Sequence, residues 1–531
     1  MAKLRENLVP RKQKLKLFLS FAWVVAWKCV PLQQQHIIMK TTTVLLLSAL
    51  TLLNAGCAGR KSTAPAPYGA VPTERQLAWH DMEMYAFIHF TTTTYRDVEW
   101  GYGDASPDEF QPTKFNPRQW VEVLKAAGMK GVVLTAKHHD GFCLWPSQLT
   151  DYSVAQSSWR DGKGDVVGEL AAEASRAGLK FGIYLSPWDR HDMRYGSPDY
   201  IDYFRGQLKE LLTRYGPIFE VWQDGANGGD GYYGGLREKR TIDNRTYYDW
   251  ATTDSLIRQL QPMACIFSDG GPDTRWCGNE KGSVGDPNWA TINRDNYAPG
   301  HADKNCLQHG ETGGTHWVPA EVDVSIRPGW FYHEKEDNQV KTVEQLMDIY
   351  YTSVGRGSNL ILNVPPTKEG VIHPIDSARL VAFGEALQRE FSRPMKTSAV
   401  KTWKATNQRR GYAVRNVVDG NAETYWATDD DVREATITIT LRNPVPLYRL
   451  RLREPIQLGQ RIDSFRVEAL TATGSWEEVA TGTTIGPQRL VRLPEVEARA
   501  LRITVSSSVA CPLLKEVQFF LPPEPKKGKS K

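Results

Sequence analysis

Residues 219–225 have the sequence Phe-Glu-Val-Trp-Gln-Asp-Gly, a short apolar run that ends on a carboxylate and a glycine. Such a run predicts a short buried strand. In a parallel α/β barrel, side chains at the carboxyl ends of the strands face the active site. Asp224 is therefore a candidate nucleophile or general base, although Asp-Gly pairs are also common in simple turns.

Similar apolar runs recur from about Gln76 to Phe391 and alternate with amphipathic segments. We predict strands at Tyr85–Phe90, Gly131–Lys137, Lys180–Ser186, Phe219–Gly225, Ala264–Asp269, Ala320–Ile326 and Asn359–Val364, and helices at Pro117–Gly128, Val166–Gly178, Pro198–Tyr215, Tyr247–Leu260, Val343–Gly355 and Ser377–Phe391. This alternation predicts a (β/α)8 TIM-like barrel. A doubly wound open sheet is the alternative, which the lack of a GxGxxG motif after the first strand disfavours.

After about Thr397 the helical periodicity stops and short alternating segments follow. We predict strands at Ala435–Leu441, Leu447–Arg453, Ser464–Ala469, Arg489–Leu493, Ala500–Val505 and Glu516–Phe520. Turn residues separate these segments, which predicts an antiparallel β-sandwich. The chain is therefore expected to contain a barrel domain at 74–396, a sandwich at 397–522 and a disordered basic tail at 523–531.

The amino-terminal residues 1–73 are predicted to be an extension with a signal and a linker. Met39-Lys40 is followed by the apolar run Val44–Leu53 and then by Cys57, a pattern that resembles a bacterial lipoprotein signal. By this resemblance Cys57 becomes the lipidated first residue. The protein is then expected to be exported and periplasmic or anchored to the outer membrane, and a lipid anchor is its only expected membrane contact.

Composition narrows the class of partner. The 531 residues carry a formal net charge of only +4, with basic residues clustered at the two ends, so no nucleic-acid face is indicated. The chain has 17 Trp and 21 Tyr, whose flat rings suit the C–H faces of sugars, although most will fill the cores. Seven cysteines show neither a CxxC pair nor metal-ligand spacing.

Polar and aromatic side chains mark the carboxyl ends of four predicted strands. They are His89 in the first, His138 and His139 in the second, Tyr184 in the third, and Trp222 with Asp224 in the fourth. A lone histidine at a strand end is more often structural. Four such ends meet at one edge of a barrel, so their side chains are expected to form one site.

These four segments together resemble glycoside hydrolase family 29, the α-L-fucosidases, from about Glu74 to Phe391. The resemblance implies that Asp224 is the nucleophile of the Trp-x-Asp-Gly motif. It also implies that the histidines at 89, 138 and 139 bind fucose hydroxyls, and that Tyr184 and Trp222 lie in the same pocket. Trp100, in Val98-Glu99-Trp100-Gly101, resembles a family tryptophan near the sugar.

The acid/base residue is assigned by a second resemblance. The segment from Gly271 to Glu280 is similar to the subgroup that acts on α-1,3/1,4-linked fucose, which implies that Glu280 is the acid/base and that Arg275 holds a carboxylate or a substrate hydroxyl. Residues 317–330 are also typical of that subgroup and supply the second candidate, Glu321, together with a pocket residue, Trp330. Glu321 lies in a predicted strand, so a structural pairing with Arg327 is the alternative.

The chemistry that the resemblance implies agrees with two carboxyl groups. A retaining glycosidase needs them about 5 Å apart, one ionised to attack the anomeric carbon and one protonated to assist the leaving oxygen. The C5 methyl group of fucose calls for an apolar wall, for which Phe142 and Trp330 are candidates. No cofactor is required, and the two adjacent histidines have no third ligand at a spacing that would indicate zinc.

In the predicted sandwich, Val418-Asp419-Gly420-Asn421 and Thr424-Tyr425-Trp426-Ala427 resemble discoidin-type (F5/8 type C) modules with a galactose-binding-like fold. Such modules often bind sugars, and many hold a structural calcium ion. Asp419, Asn421 and Thr424 are candidate oxygen ligands for one. A purely structural sandwich is the alternative.

Three functions follow from these observations. The first is a retaining exo-α-L-fucosidase that removes terminal α-1,3/1,4-linked fucose from Lewis-type glycans. The second is a fucosidase of broader specificity for α-1,2 or aryl fucosides. The third is a non-catalytic glycan-binding lipoprotein. Each of them has fucosylated oligosaccharides or glycoconjugates as its partners.

Overall fold

The computed structural model describes residues 63–300 and 303–524, which form a barrel followed by a β-sandwich. The predicted lipidation site Cys57 and most of the predicted basic tail lie outside these described residues. In the part of the chain that the structure describes, no helix has the length and apolar character needed to span a membrane.

The barrel region contains twelve strands within the described residues. They are β1 (Met84–Ile88), β2 (Gly131–Lys137), β3 (Lys180–Leu185), β4 (Ile218–Trp222), β5 (Gly228–Gly231), β6 (Glu238–Thr241), β7 (Cys265–Ser268), β8 (Thr274–Trp276), β9 (Thr291–Ile292), β10 (His316–Trp317), β11 (Ala320–Ser325) and β12 (Asn359–Asn363). The helices are α1 (Glu74–His80), α2 (Thr92–Arg96), α3 (Pro117–Ala126), α4 (Val166–Ala177), α5 (Pro198–Arg214), α6 (Trp250–Leu260), α7 (Lys304–His309), α8 (Val343–Thr352) and α9 (Pro374–Glu390).

Eight parallel strands close the barrel in the order β1-β12-β11-β8-β7-β4-β3-β2. This confirms the predicted TIM-like barrel and excludes the open sheet. Every residue of β1, β2, β11 and β12 is buried. Parallel strands covered on both faces need apolar side chains on both faces, which is why they appear in the sequence as continuous apolar runs.

Helix α4 begins and ends where its sequence provides caps. The Asp165 carboxylate accepts a hydrogen bond from the backbone N–H of Gly168 at the start of α4. The same helix ends at Gly178, whose φ of 76° is left-handed. These caps set where α4 begins and stops, and so fix the chain entry into β3.

The second region contains β13 (Val400–Ala405), β14 (Trp426–Ala427), β15 (Ala435–Pro446), β16 (Arg449–Arg453), β17 (Ile462–Leu470), β18 (Trp476–Gly482), β19 (Arg489–Arg492), β20 (Glu497–Ser508), β21 (Leu513–Leu514) and β22 (Glu516–Phe520). A five-stranded sheet, β13-β15-β20-β17-β18, and a three-stranded sheet, β19-β16-β22, enclose an apolar core. All of these strand pairs are antiparallel, as predicted.

The sandwich contacts the barrel through polar side chains. The Gln460 amide accepts from the backbone N–H of Ala290 (2.8 Å) and donates to the carbonyl of Asn288 (2.9 Å). The Arg489 guanidinium forms two hydrogen bonds to the Asp286 carboxylate, of 3.0 and 2.8 Å. These contacts fix the connection between β8 and β9, one wall of the barrel.

Candidate active site

A cavity of about 380 Å³ opens at the carboxyl ends of the barrel strands. The predicted site residues that line it are His89, Trp100, His138, His139, Tyr184, Trp222, Asp224, Glu280 and Trp330. Tyr184 lies in β3 and Trp222 in β4, and the others lie in the loops that follow β1, β2, β4, β8 and β11. The closed barrel therefore brings together residues that are up to 241 positions apart in the chain (330 minus 89).

Asp224 is the second residue after β4, and each oxygen of its carboxylate accepts a hydrogen bond. The Tyr184 hydroxyl donates to Oδ2 at 2.9 Å, and the backbone N–H of Ala226 donates to Oδ1 at 2.8 Å. Burial, and then the neighbouring negative charge of Asp224, raise the pKa of Tyr184 well above its usual value, so this phenol remains a donor. The carboxylate is 28% exposed, and its exposed part faces the cavity.

The hydrogen bonds of two histidines fix their tautomers. The Asn363 amide N–H groups donate to the Ser325 hydroxyl and to the Trp330 carbonyl, so its oxygen accepts the 2.8 Å bond from His89 Nδ1. The Ser186 hydroxyl donates to the Trp188 carbonyl, so it accepts the 2.8 Å bond from His139 Nδ1. In both rings the proton is on Nδ1, and Nε2 offers a lone pair.

His139 Nε2 lies 3.8 Å from Asp224 Oδ2. Burial lowers the pKa of His139 to about 4, although the Asp224 charge opposes this shift. The ring is therefore neutral at neutral pH, and two hydrogen-bond acceptors face each other across this distance. A donor such as a sugar hydroxyl satisfies one of them, which makes the pair a suitable seat for a hydroxyl group.

The other two imidazoles are also neutral. Burial lowers the pKa of His89 to about 3, and burial followed by the charges of His139, His89 and Arg190 lowers that of His138 well below its usual value. Nδ1 of His138 is buried and has no hydrogen-bond partner among the described residues. A buried polar atom without a partner costs free energy, so this imidazole is held at a cost to the stability of the fold.

Aromatic rings form the apolar part of the cavity. The Trp222 and Phe267 rings stack with centroids 4.1 Å apart and planes 9° apart, and Phe87 packs against Trp222 at 5.0 Å. The Trp330 ring lies 5.2 Å from that of His89. These faces suit the C–H surface of a sugar ring.

Glu280 lies on the loop after β8 and lines the same cavity as Asp224. The Trp330 indole N–H donates to its Oε2 at 3.3 Å. The Glu280 carboxyl group is therefore placed on a loop where it can contact a molecule bound in the cavity.

Sequence reasoning missed two further carboxyl groups of the cavity, Asp269 and Asp323. Burial, and then the charge of Glu280, raise the pKa of Asp323 well above its usual value, while the Trp276 indole donates to its Oδ1 at 2.9 Å. Burial raises the pKa of Asp269 to about 6. Their positions offered a signal, because Asp269 ends a predicted strand and Asp323 is the polar residue of Val-Asp-Val in another.

Glu321, the second acid/base candidate, lies below the cavity rather than in its wall. It is wholly buried, and its carboxylate accepts from the Tyr85 hydroxyl (2.6 Å) and the Trp222 indole (2.9 Å). The alternative pairing with Arg327 is wrong, because Arg327 binds Asp376 at 2.8 and 2.9 Å. Glu321 therefore supports Trp222 and does not face a ligand.

Glu321 has a carboxyl neighbour, Glu220, inside the barrel. Burial, and then the charge of Glu321, raise the pKa of Glu220 well above its usual value. No donor reaches Glu220 Oε2 among the described residues, which fits an oxygen that carries the proton and donates it to Glu321. Burial also raises the pKa of Glu321, so the pair takes up a proton more readily than two separate exposed carboxylates would.

Two predicted ligand contacts are corrected by the structure. Arg275 is wholly buried and does not line the cavity; its guanidinium donates to the carbonyls of Leu307 (2.9 Å), Trp289 (3.0 Å) and Val318 and to the Asn288 side chain. Phe142 is also wholly buried and packs on Phe110, outside the cavity. A strand end alone does not tell which way a side chain points.

The predicted calcium ligands lie together on an exposed loop of the sandwich. The Asp419 carboxylate accepts from the Asn421 backbone N–H (2.8 Å) and from the Thr424 hydroxyl (2.7 Å), so both its oxygens already have donors. No cluster of three or more His, Cys, Asp or Glu side chains suited to a metal occurs in residues 63–300 or 303–524. The loop's hydrogen bonds do not favour a metal, and calcium here stays a prediction.

A parallel barrel that presents carboxyl groups, neutral imidazoles and indole faces in one sugar-sized cavity has the layout of a glycoside hydrolase. Comparison with known proteins agrees. Residues 67–390 match the α-L-fucosidase family, and residues 399–516 match the F5/8 type C domain. The chain therefore belongs to the α-L-fucosidase family, glycoside hydrolase family 29, and its activity is that of an α-L-fucosidase.

Individual relatives cover most of the chain. Alpha-L-fucosidase 1 of Arabidopsis thaliana is 44% identical over 462 residues, 86% of this chain and 88% of the relative. A glycoside hydrolase 29 family member from an unknown rumen bacterium is 44% identical with a TM-score of 0.77, over 87% of this chain and 79% of that one. A Ruminococcus gnavus GH29 fucosidase in complex with fucose is 32% identical with a TM-score of 0.78, over 87% of this chain and 98% of that one.

Proposed function

We propose that this α-L-fucosidase is a retaining exo-enzyme that removes terminal α-1,3/1,4-linked L-fucose from Lewis-type glycans. The observation that carries the proposal is that Asp224 and Glu280 line one cavity, the first fixed by two donors and the second on a loop. The similarity of residues 271–280 to the α-1,3/1,4 subgroup supports the linkage.

The proposed reaction has two displacements at the anomeric carbon. Asp224 forms a bond to C1 while the glycosidic C1–O bond breaks, and Glu280 gives its proton to the leaving oxygen. Water then attacks C1 and gives a proton to Glu280, and the bond to Asp224 breaks. His89, His138 and His139 hold the fucose hydroxyls through neutral ring nitrogens, while Trp222 and Trp330 cover the apolar faces.

The test is release of L-fucose from a Lewis a or Lewis x trisaccharide, 2′-fucosyllactose and 4-nitrophenyl fucoside. The wild type should prefer the trisaccharides and give the α-anomer first by NMR. Preference for 2′-fucosyllactose or the aryl fucoside would favour the broader-specificity alternative. Binding without any release would favour the glycan-binding alternative.

Azide separates the two carboxyl roles. Asp224→Ala should lose hydrolysis, and azide should rescue it to give the inverted β-fucosyl azide. Glu280→Ala should be rescued to the retained α-fucosyl azide. If Glu280→Ala keeps full activity on the trisaccharides, the acid/base assignment is wrong.

We also propose that the protein is exported as a lipoprotein through Cys57. In a bacterial host, labelled palmitate should enter the wild type and not Cys57→Ser. Label in both proteins, or in neither, would count against the anchor.

A further inference from the structure

Arg190, in the loop after β3, has a buried guanidinium group that takes no part in the proposed reaction. Its side chain is 6% exposed. The guanidinium donates from Nη1 to the carbonyls of Trp100 (3.0 Å) and Gly101 (2.9 Å), from Nε to the carbonyl of Asp230 (2.7 Å) and from Nη2 to its carboxylate (3.0 Å). One side chain thus joins the loop after β1 to the β5–β6 hairpin after β4.

The backbone of the same residue adds two further connections. The Arg190 N–H donates to the carbonyl of His139 (2.8 Å), and its carbonyl accepts from the Tyr233 N–H (2.9 Å). Arg190 therefore contacts the loops that follow β1, β2 and β4, three of the loops that surround the cavity. A planar guanidinium with five N–H donors suits such a junction, and a lysine does not.

The residue that Arg190 fixes at the cavity mouth is Trp100. Trp100 is 60% exposed and lines the cavity. It meets the rings of His139 and Trp188 edge-on, at 5.5 and 5.7 Å. An indole so exposed leaves one face open for a sugar ring, and its loop is held by the two carbonyl contacts to Arg190.

We propose that Arg190 is a positioning residue that holds Trp100 beside His139 as a platform for the bound fucosyl substrate, and that Asp230 anchors Arg190 from the hairpin. This inference rests on the proposed function. A platform fixed before binding spares the entropy of ordering a loop and a large side chain, about 0.5–1.5 kcal/mol for each immobilised side chain. That range corresponds to about a 2- to 10-fold change in affinity.

The hairpin provides a matched pair of variants. Asp230 and Glu238 are exposed carboxylates on its two strands, with side chains 69% and 48% exposed, so neither neutral replacement threatens the fold. Asp230 binds Arg190, whereas Glu238 binds Arg240 at 2.8 Å. Asp230→Asn therefore weakens the proposed anchor, and Glu238→Gln removes the same charge without touching it.

The test measures binding in the Asp224→Ala background, where no turnover occurs. Isothermal titration should show that Asp230→Asn weakens the binding of a Lewis trisaccharide and of free L-fucose, each about 2- to 10-fold relative to the background protein, while Glu238→Gln changes neither. Arg190→Lys should have the larger effect. With Trp100→Ala also present, Asp230→Asn should add nothing, because both substitutions act on one platform.

Two results would overturn the inference: equal effects of Asp230→Asn and Glu238→Gln, or an Asp230→Asn effect that persists without Trp100. Thermal midpoints within about 2 °C of the background protein show that the variants are folded. The titration measures binding without turnover, whereas the proposed function is tested by fucose release. A wild type that releases no fucose would therefore refute the proposed function without deciding whether Arg190 positions Trp100.

Discussion

At the scale of single residues, burial determines whether the histidines of the cavity are charged. His139 is neutral at neutral pH because burial lowers its pKa to about 4, from an ordinary value of 6.5. The unfolded chain then binds a proton between these values that the folded protein does not bind. Stability is therefore lost as the pH falls through this window, by up to about 1.4 kcal/mol per pH unit.

The lowered pKa of His139 predicts how the thermal midpoint of His139→Asn depends on pH. The variant lacks the buried imidazole, so its thermal midpoint should fall less steeply than that of the wild type between pH 6.5 and pH 5. His316→Asn is the control, because His316 is exposed. An unchanged slope in His139→Asn would show that the ring is protonated in the folded protein.

The carboxyl pair of Glu220 and Glu321 beneath the cavity predicts a change of stability with pH that has the opposite sign. Glu220 has a raised pKa in the fold, so above about pH 4.5 the unfolded chain loses a proton that the folded protein retains. Stability from this group is present at low pH and is lost as the pH rises. Glu220→Gln should keep the bonds from Trp79 and Tyr85 and remove this loss, so its midpoint should rise relative to the wild type between pH 5 and pH 7. If the thermal midpoints of the variant and the wild type change with pH in parallel, Glu220 is not protonated in the folded protein.

At the scale of elements, β8 depends on one arginine. Its three residues are too few for an apolar pattern, and Arg275 at its centre donates to three carbonyls and one amide. Arg275→Lys places one ammonium where four acceptors converge, which leaves buried carbonyls without donors at about 1–3 kcal/mol each.

We therefore expect Arg275→Lys to lower the thermal midpoint by several degrees and kcat on 4-nitrophenyl fucoside by more than about 10-fold, because Glu280 follows β8 directly. Arg258→Lys is the control, since Arg258 is a partly exposed arginine that also binds a main-chain carbonyl nearby. A folded Arg275→Lys with a raised KM and unchanged kcat would instead support the original prediction of a substrate contact.

The same strand shows why sequence reasoning went only part of the way. Seven barrel strands and their polar ends were predictable, because a strand buried on both faces needs an apolar run and the carboxyl ends of barrel strands meet at the cavity. β8 was missed because its core contact is a charge satisfied by carbonyls. Glu321 and Arg327 were wrongly paired because two buried ionic residues six positions apart in sequence give no indication of Tyr85 or Asp376, which lie elsewhere in the chain.

At the scale of the whole molecule, the sandwich supports the wall that carries the acid/base candidate. Gln460 and Arg489 hold residues 286–290, and within that segment Asn288 and Trp289 accept from Arg275. A polar chain of contacts thus runs from the sandwich through β8 to the loop of Glu280. The two regions should therefore unfold together.

Calorimetry tests this coupling with a Gln460→Ala, Arg489→Ala double variant. The wild type should give one unfolding transition. The double variant leaves the Asn288 carbonyl, the Ala290 N–H and the Asp286 carboxylate without these partners, so the transition should broaden or split and kcat should fall about 2- to 10-fold, as expected for about 0.5–1.5 kcal/mol of lost positioning. Arg499→Ala with Lys401→Ala, both exposed on the sandwich, should change neither. Unchanged calorimetry together with unchanged kcat in the interface variant would show that the barrel wall stands without the sandwich.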